Sequence, residues 1–561
     1  MVTATQTHDR IAARGLRAFA GSQERTLVLL CMLLAFVVRL FFVRYQYVIN
    51  TDGVYYATLG RHLITGDVAG GLSTYWSPLY PLLVGISSWW FTDLEFAGRF
   101  VSVVAGALLV LPVYLLTREF YGRAAAAFAV VLTVIHPYLI QVSTQVMTES
   151  VYTLTLTSAL LTGWLALNGG RRWTQVSTGL LMGCCYLLKP EAIAYTGLFV
   201  VFLSGRWLVE KHRRIRNVIL DVVVFLAAFS VLFLPYYLYV HHETGRWIIS
   251  SKVVNNVAQD QSPLRLTADG ESTPLDQWYG HSTTAASPVT SAPSSPAFSP
   301  VTRADRVERL LLRARLAYRN LKLAINQMIP DILPRAFIVL CIIGLFRTAW
   351  TAERAFKEVY LLAFVVSTLI GYAITVMELR YLVPLVPLLL CWTAKGLLEF
   401  ESWVAATLSL LDIKLLRPAT LRVGLFIVMA SLLTPSLVAP MVRSKWEDLP
   451  FEHKEAGLWM KGRSPGSPLI MAQGPWAAYY SGGRHIYLPR ESYATVLNYA
   501  RRKRVDYIIV GARCLMHTGC LQDTPLGFLL DEKRVPADLQ LVYVHADRPE
   551  YKILVYRLRQ P

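Results

Sequence analysis

Six charged side chains stand at the ends of apolar segments, or in the polar loops beside them, along this 561-residue chain. They are Asp52, Glu149, Lys189, Glu191, Lys252 and Arg380. An ionisable group at such a place is costly to keep near hydrocarbon and is a functional candidate by default. The carboxylates suit a general base or an ion ligand, and the cations suit a group that carries or develops negative charge.

Most of these candidates have a structural alternative. Asp52 opens the first polar loop directly after an apolar segment, where Asp is also favoured simply as the cap of the next helix. Glu149 stands at the corresponding place before the fourth span. Lys189 and Arg380 could instead extend from helix ends towards lipid head groups. Lys252 lies in a long loop, where a lysine needs no special explanation.

The composition decides which elements must position these residues. Hydrophobic residues make up 54% of the chain, charged residues 16%, and the mean hydropathy is +0.41, which indicates a multi-pass membrane protein. Apolar stretches long enough to cross a bilayer lie near 26 to 43, 98 to 117, 124 to 140, 151 to 167, 174 to 188, 192 to 205, 217 to 240, 334 to 350, 358 to 376, 381 to 398 and 422 to 440. The stretch 400 to 415 fits either a further span or an interfacial segment, so we predict about 11 to 13 transmembrane helices. The first span follows three arginines without a cleavage site and is interpreted as a retained anchor.

The bias of Lys and Arg between loops predicts the orientation. With the N-terminus inside, the basic loops near 118 to 123, 171 to 172, 206 to 216 and 347 to 357 are all cytoplasmic. The six candidate residues then fall on the outer side, where the orientation rule explains neither Lys189 nor Arg380. The net charge of +18 is accounted for by topology, and no nucleic-acid partner is predicted.

Five regions follow from these patterns. They are a cytoplasmic N-terminus (1–25), an N-terminal transmembrane catalytic module (26–240) with outer loops at 44–97 and 141–150, an outer loop (241–333), C-terminal transmembrane helices (334–440) and an extracytoplasmic α/β domain (441–561). The outer loop contains a flexible Ser/Pro-rich linker at 282–300. A basic amphipathic helix follows the linker and either attracts lipid phosphates or packs on the bundle.

Helical patterns at 452–461 and 491–503 alternate with apolar runs at 468–472 and 507–510, and these predict the α/β domain. Paired strands near 539–545 and 551–557 complete its sheet.

The seven cysteines show no metal-binding spacing. Five lie inside apolar spans and are interpreted as small buried hydrophobes. Cys514 and Cys520 are placed outside, where a local disulfide between them is plausible. The chain also lacks a phosphate-binding glycine loop and the common hydrolase and zinc motifs, so its chemistry must come from isolated polar groups.

A sugar linked to a polyprenyl phosphate would suit those groups. Its phosphate is already a good leaving group, so the reaction needs cations to stabilise the departing charge and a carboxylate to accept a proton. The aromatic residues of the first loop could line a sugar site by stacking, although aromatic side chains also gather at membrane interfaces. These are Tyr55, Tyr56, Trp76 and Tyr80.

The order of several short motifs resembles that of the GT-C glycosyltransferases, in particular the bacterial aminoarabinose transferases and the protein O-mannosyltransferases. The motifs are Asp52-Gly53-Val54-Tyr55-Tyr56, Leu63-Ile64-Thr65-Gly66-Asp67, Trp76-Ser77-Pro78-Leu79-Tyr80-Pro81, Thr148-Glu149-Ser150, Leu188-Lys189-Pro190, Gly245-Arg246-Trp247 through Lys252, and Glu378-Leu379-Arg380-Tyr381-Leu382-Val383-Pro384. In the last region, Trp459-Met460-Lys461 and Tyr479-Tyr480-Ser481-Gly482 through Leu488-Pro489 are similar to the soluble tail of the bacterial members.

The resemblance implies a role for each candidate. Asp52 would be the base that activates the acceptor, and Glu149 would assist it or orient a substrate or ion. Lys189, Lys252 and Arg380 would bind the donor phosphate. Substrate-lining positions would be Tyr55, Tyr56, Trp76, Tyr80, Glu191 and Tyr381. Asp52-Gly53 replaces the frequent Asp-Glu of such families, and Trp76-Ser77-Pro78 replaces the Lys-Pro-Pro of the aminoarabinose transferases, which leaves the donor sugar open.

These features predict an integral membrane glycosyltransferase of the bacterial inner membrane. It would move a sugar from a polyprenyl-phosphate donor to an outer acceptor, which could be a lipid, a glycan or a protein, with inversion. The sequence identifies no definite cofactor, and a divalent ion, calcium or magnesium, could bridge Asp52, Glu149 and the donor phosphate. A transporter or flippase of a lipid-linked substrate is the alternative from another class. A catalytically inactive receptor would instead make Asp52 dispensable.

Overall fold

The computed structural model describes residues 22–169, 172–209, 215–253, 303–410, 418–442, 449–464, 466–515 and 520–559. The chain forms two compact units. The helical unit comprises the described residues within Met1–Val43, Arg99–Val257 and Val289–Met441, and the α/β unit comprises those within Arg44–Gly98 and Val442–Pro561. The N-terminal residues 1–21 and the Ser/Pro-rich linker at 282–300 lie outside the described part of the chain.

The α-helices, in chain order, are α1 (Ser22–Val43), α2 (Thr51–Ile64), α3 (Val68–Gly71), α4 (Leu79–Ser87), α5 (Leu94–Leu108), α6 (Val110–Ile135), α7 (Pro137–Ser143), α8 (Glu149–Leu167), α9 (Arg172–Leu188), α10 (Ile193–Val209), α11 (Ile215–Thr244), α12 (Arg303–Leu323), α13 (Ile329–Ile332), α14 (Arg335–Phe346), α15 (Ala352–Ala373), α16 (Val386–Leu410), α17 (Pro418–Val442), α18 (Phe451–Met460), α19 (Trp476–Ser481) and α20 (Tyr493–Lys503). The strands are β1 (Leu469–Ala472), β2 (Arg484–Tyr487), β3 (Tyr507–Gly511), β4 (Leu539–His545) and β5 (Ile553–Leu558).

A helix coincides with each of the eleven apolar stretches predicted from hydropathy. Within the described residues, seven helical stretches are long and apolar enough to cross a membrane, or eight if a bent pair counts as one span. The two counts differ for a geometric reason: α9 and α10 are each 17 residues long, and Leu94–Ile135 runs as one 42-residue stretch. The predicted class, a multi-pass helical membrane protein with a small C-terminal α/β domain, is confirmed.

The long stretch that ends at Ile135 turns at Gly122, where the backbone has a φ of +86°. This left-handed conformation suits glycine, which has no Cβ to clash with the following carbonyl. Arg123 and Arg118 flank the turn, and their side chains lie 2.6 and 3.5 Å from the carboxylate of Glu24. One short turn therefore separates the two predicted spans, at about the place where hydropathy falls.

The basic amphipathic helix predicted from the sequence is α12. The helical stretch Leu311–Ile332, which begins within α12 and includes α13, meets α14 at an angle of 103°. The stretch and α14 therefore cannot cross a bilayer as one straight helix. Asn320 is buried and donates to the carbonyl of Ala373 on α15, at a distance of 3.0 Å. Leu311 and Tyr318 are exposed on the other side of the helix.

The α/β unit contains a five-stranded mixed sheet in the order β2-β1-β3-β5-β4. Strand β1 is parallel to both β2 and β3, whereas β5 is antiparallel to β3 and β4. The β1 strand is buried throughout, as expected for a short parallel strand that is covered on both faces. Residues of α20 pack on one face of the sheet, and residues of α18 and α19 pack on the other.

Candidate active site

Asp52 lies in the first turn of α2 and is half-buried. The helix is capped by the preceding Asn50, whose Oδ1 accepts a hydrogen bond from the amide of Gly53 at 3.0 Å. The alternative reading of Asp52 as the helix cap is therefore wrong, because Asn50 already fills that position. A carboxylate in the first turn still interacts favourably with the positive end of the helix dipole.

Four aromatic side chains pack together in the same unit. Tyr55 stacks on Trp76 with ring centres 5.4 Å apart, and Tyr56 meets the edges of both Trp76 and Tyr80 at 5.2 and 5.1 Å. All four are buried. They pack around the first turns of α2, to which Tyr55 and Tyr56 belong.

Glu149 and Lys189 form a buried ion pair in the helical unit. The Lys189 Nζ lies 3.1 Å from Glu149 Oε1, and the two residues are 6% and 2% exposed. A buried, paired lysine does not reach for head groups, so the alternative that Lys189 extends to the lipid surface is wrong. Glu149 is the first residue of α8, and the N-cap position belongs to Thr148, so Glu149 does not occupy the cap position.

Lys189 and Arg380 both approach the ring of Tyr381. The Lys189 Nζ lies 5.0 Å from the ring centre, and the Arg380 guanidinium carbon lies 5.3 Å from it. Arg380 also lies 2.5 Å from Glu378, and Tyr381 is held by stacking on Tyr372 at 4.6 Å. The structure therefore brings together two of the cations that the orientation rule leaves unexplained.

The segment that leads to Lys252 is tied to α9. The Tyr186 hydroxyl donates to the carbonyl of Ile249 at 3.0 Å, and Ser250 Oγ accepts from the amide of Lys252 at 3.1 Å. Lys252 itself is half-buried. Because α9 ends at Leu188, this contact connects the segments that carry the two lysines.

Glu191 lies in the 3-10 turn Pro190–Ala192, directly after Lys189. Its Oε2 is buried and has no hydrogen-bond partner among the residues that the structure describes. A buried carboxylate oxygen without a donor is energetically unfavourable, and a substrate hydroxyl could supply one. The position fits the substrate-lining role that the family resemblance implies.

No group of three or more His, Cys, Asp or Glu side chains in the described part of the chain is arranged to hold a metal ion. Lys189 already supplies Glu149 with a positive counter-charge at 3.1 Å. A divalent ion at Glu149 would therefore compete with the ammonium group of Lys189.

In the α/β unit, Cys514 and Cys520 are joined by a disulfide, which closes the short segment between them. Cys31, Cys185, Cys341 and Cys391 are buried thiols, and Cys184 is half-buried.

Sequence reasoning missed several residues that hold the candidates in place. Tyr152 contributes a second ring 5.5 Å from the Lys189 Nζ. Trp476 and Tyr480 bond the backbone of Ile49, three residues before Asp52. The motif around Tyr480 is part of the family resemblance, but no local pattern links it to a loop more than 400 residues earlier.

Comparison with known proteins gives the class of the fold. The family model described as dolichyl-phosphate-mannose-protein mannosyltransferase matches residues 76–239. The structure of ArnT from Cupriavidus metallidurans in the apo state is similar, with a TM-score of 0.59, 14% identity and coverage of 95% of this chain and 98% of that one. The same ArnT bound to undecaprenyl phosphate gives a TM-score of 0.54 at 14% identity, covering 94% and 97%.

The Archaeoglobus fulgidus oligosaccharyltransferase, in its complex with Zn and sulfate, matches with a TM-score of 0.59 and 13% identity, over 94% of this chain and 79% of that one. No curated protein matches the chain in sequence. Identities this low show a shared fold, and the predicted GT-C fold is confirmed.

Proposed function

We propose that the protein is a GT-C glycosyltransferase that moves a sugar from a polyprenyl-phosphate donor to an acceptor on the outer side of a bacterial inner membrane. The observation that carries the proposal is the approach of Lys189 and Arg380 to one ring, that of Tyr381. The Lys189 side chain is 7% exposed and that of Arg380 is 23% exposed, and two cations beside one ring could stabilise an anion that reaches them. A departing lipid phosphate is such an anion.

The reaction would proceed in a single displacement. Asp52 accepts the proton of the acceptor nucleophile, whose electron pair forms the new bond at the anomeric carbon. The bond between that carbon and the phosphate oxygen breaks, and the phosphate leaves with the electron pair. Lys189, Arg380 and Lys252 stabilise its negative charge, and attack from the opposite side inverts the anomeric centre.

Glu149 would act through Lys189. Held at 3.1 Å, its carboxylate fixes the position of the ammonium group and keeps the buried charge compensated. The Oε2 of Glu191 would accept a hydrogen bond from a substrate hydroxyl. No step requires a divalent ion, and a role for one between Asp52 and Glu149 remains a prediction.

The relatives support the choice of donor. ArnT has been solved bound to undecaprenyl phosphate, and the archaeal oligosaccharyltransferase with an inhibitory peptide and a dolichol-phosphate. Both ligands combine a polyprenyl chain with a phosphate. The acceptor could be a lipid, a glycan or a protein, and surrounding membrane lipids would be further partners.

The test is sugar transfer by purified protein in lipid nanodiscs, with a panel of polyprenyl-phosphate sugars and candidate acceptors. We expect the native chain to release polyprenyl phosphate, Asp52→Asn to bind donor without turnover, and Arg380→Gln to weaken donor binding. Lys503→Met is the matched control, because Lys503 also lies over a tyrosine ring, that of Tyr499 at 5.8 Å, but belongs to the α/β unit. Movement of labelled lipid across the bilayer without donor consumption would favour a flippase, and full activity of Asp52→Asn would exclude Asp52 as the base.

A further inference from the structure

Side chains of one short helix of the α/β unit form hydrogen bonds with both the amide and the carbonyl group of Ile49. Trp476 Nε1 donates to the carbonyl oxygen of Ile49 at 2.9 Å, and the Ile49 amide donates to the Tyr480 hydroxyl at 2.9 Å. Trp476 and Tyr480 are both on α19, and Ile49 is 1% exposed. The chain is therefore fixed in register three residues before Asp52.

A second set of contacts holds the segment at Tyr47. Lys454 Nζ donates to the Tyr47 carbonyl at 2.6 Å and lies 3.7 Å from Glu95. The Tyr480 hydroxyl donates to the same Glu95 carboxylate at 2.9 Å. Burial, followed by the nearby Glu95 charge, raises the pKa of Tyr480 well above its ordinary value, so the hydroxyl keeps the proton that it donates.

The contacts of Trp476 and Tyr480 are made by α19, which lies beside the point where the strand order of the sheet reverses. Strand β1 is parallel to β2 on one side and β3 on the other, so the chain changes direction beside β1, and α19 follows directly from that strand. Open α/β sheets usually bind ligands at the carboxyl edge of such a switch point. Here Gln473 spans the edge, because its Oε1 accepts the Gly511 amide at 2.9 Å. The neighbouring His453 and Trp476 are both buried and fill the edge with side chains.

Ile49 is three positions before the proposed base, and hydrogen bonds restrain the backbone on both sides of Asp52. Asn50 caps α2 through the Gly53 amide, and the Val54 amide donates to the Asn50 carbonyl at 3.1 Å. At the other end of the first turn, the hydroxyl groups of Tyr55 and Tyr487 lie 3.1 Å apart. Tyr47, Ile49 and Tyr55 each form a hydrogen bond with a residue of the C-terminal part of the α/β unit. Every residue between Tyr47 and Tyr55 is thus at most three positions from one of these bonds.

We propose that this domain positions the base: Trp476 and Tyr480 are positioning residues that hold the Ile49 backbone so that the Asp52 carboxylate meets the acceptor at the correct place. The inference rests on the proposed function, since it requires Asp52 to act as the base. An error of about 1 Å in the position of a reacting group can cost about 100-fold in rate. Trp476, one of the side chains that fill this edge, thus binds a segment of its own chain where related sheets bind a ligand.

The experiment removes single hydrogen bonds and keeps an aromatic ring at each position, although the phenyl ring that replaces the Trp476 indole is smaller. Trp476→Phe and Tyr480→Phe are compared with the native protein in nanodiscs, with kcat, donor KM and thermal stability measured for each. Tyr556→Phe is the matched control, because the Tyr556 hydroxyl makes a buried bond, to the Leu529 carbonyl at 2.6 Å, in the same domain but outside the Tyr47–Tyr55 segment. We expect kcat to fall about 10- to 100-fold in the first two variants only, with donor KM within twofold of the native value.

Two further measurements separate positioning from simple loss of structure. Donor affinity is compared between Asp52→Asn and Asp52→Asn/Trp476→Phe, and we expect equal values. Hydrogen exchange of the amides at 51 to 56 should be faster in Trp476→Phe and Tyr480→Phe than in Tyr556→Phe. A kcat unchanged by both substitutions, or a parallel fall in the control, would overturn the inference. An active Asp52→Asn variant would instead overturn the proposed function, so the two failures are distinguishable.

Discussion

At the scale of single residues, variants of the buried ion pair between Glu149 and Lys189 can distinguish a role in stability from a role in sugar transfer. Both side chains are almost fully buried, so removing one partner leaves an uncompensated charge. We expect Lys189→Met or Glu149→Gln alone to lower the free energy of unfolding by about 3 to 5 kcal/mol. The double variant Glu149→Gln/Lys189→Met should recover much of that loss, because neither charge remains.

The two readouts for these variants are thermal unfolding in detergent and sugar transfer in nanodiscs. If Lys189 binds the departing phosphate, the double variant should be stable but inactive. A stable and fully active double variant would show that the pair is only structural.

His453 gives the α/β unit a sensitivity to acid. Burial, together with the nearby charges of Arg513 and His485, lowers the pKa of His453 to about 3, below its ordinary value of 6.5. Below pH 6.5 the unfolded chain therefore binds a proton that the folded chain does not, and stability falls as the pH is lowered from about 6.5 towards 3. The linked loss is about 2 kcal/mol at pH 5.

His453→Leu removes this titration, so its stability relative to the native chain should rise between pH 7.5 and pH 5. Hydrogen exchange of β1 and β3, corrected for the intrinsic rate at each pH, measures the difference. The comparison of two chains is needed because burial raises the pKa of Glu452, which has the opposite effect on the pH dependence. Identical pH dependence in both chains would contradict the assignment.

Sequence reasoning found the charged candidates because a charge beside an apolar span is visible locally. Asp52, Lys189 and Arg380 are each visible in the sequence in this way. Their partners are not, since the ring of Tyr381 is recognisable as a shared contact of two cations only when α9 and the 3-10 helix Leu379–Leu385 are folded together. The Asn50 cap could have been found, because Asn is as good an N-cap residue as Asp.

At the scale of elements, α14 and α16 cross at two glycines. A Cβ on Gly396 would lie 1.8 Å from the carbonyl oxygen of Leu340, and one on Gly344 would lie 2.4 Å from that of Trp392. Both obstacles are backbone atoms, which cannot move aside as a flexible side chain can. Small residues permit such close helix contact in membrane proteins.

We therefore expect Gly396→Ala to force the two helices apart and lower stability by about 1 to 3 kcal/mol, as overpacking does in cores. Gly371→Ala, on α15, is the control, since a Cβ there meets nothing within 4 Å. Thermal unfolding of both variants in the same detergent is the measurement, and equal midpoints would refute the crossing.

Element positions were mostly predictable, because hydropathy and periodicity are local. The predicted helices at 452–461 and 491–503 correspond to α18 and α20, and the predicted strand at 539–545 is β4. Strand β2 was missed, since its residues range from the exposed Arg484 to the buried Tyr487 and form no apolar run. Its position depends on parallel pairing with β1, which no local pattern encodes.

At the scale of the whole molecule, the distribution of basic loops predicts which parts of the chain face outward. The test is labelling of intact cells with a membrane-impermeant maleimide. Arg534→Cys, at a side chain that is 74% exposed in the α/β unit, should react at once. Trp173→Cys, at an exposed position beside the basic loop at 171 to 172, should react only after permeabilisation. The native chain measures the background from its own thiols, and the reverse pattern would invert the orientation.

The division of the chain into two units was not predictable from sequence. The sequence predicts 44–97 as an outer loop of the N-terminal transmembrane module, and in the structure contacts group Arg44–Gly98 with Val442–Pro561. Hydrogen bonds of individual polar atoms create this association, and their partners are separated by most of the chain. Composition describes each segment correctly but carries no information on which segments meet.

This separation sets an order of events during biosynthesis. Ile49 and Trp476 are 427 positions apart, so a ribosome that adds about 5 to 20 residues per second needs roughly 20 to 90 s to make the second after the first. During that time the Asp52 segment has been translated while the helix that fixes it does not yet exist. If Asp52 is the base, as proposed, a nascent or C-terminally truncated chain carries it without the Trp476 and Tyr480 contacts, and activity should appear only after the last hundred or so residues have been synthesised and folded.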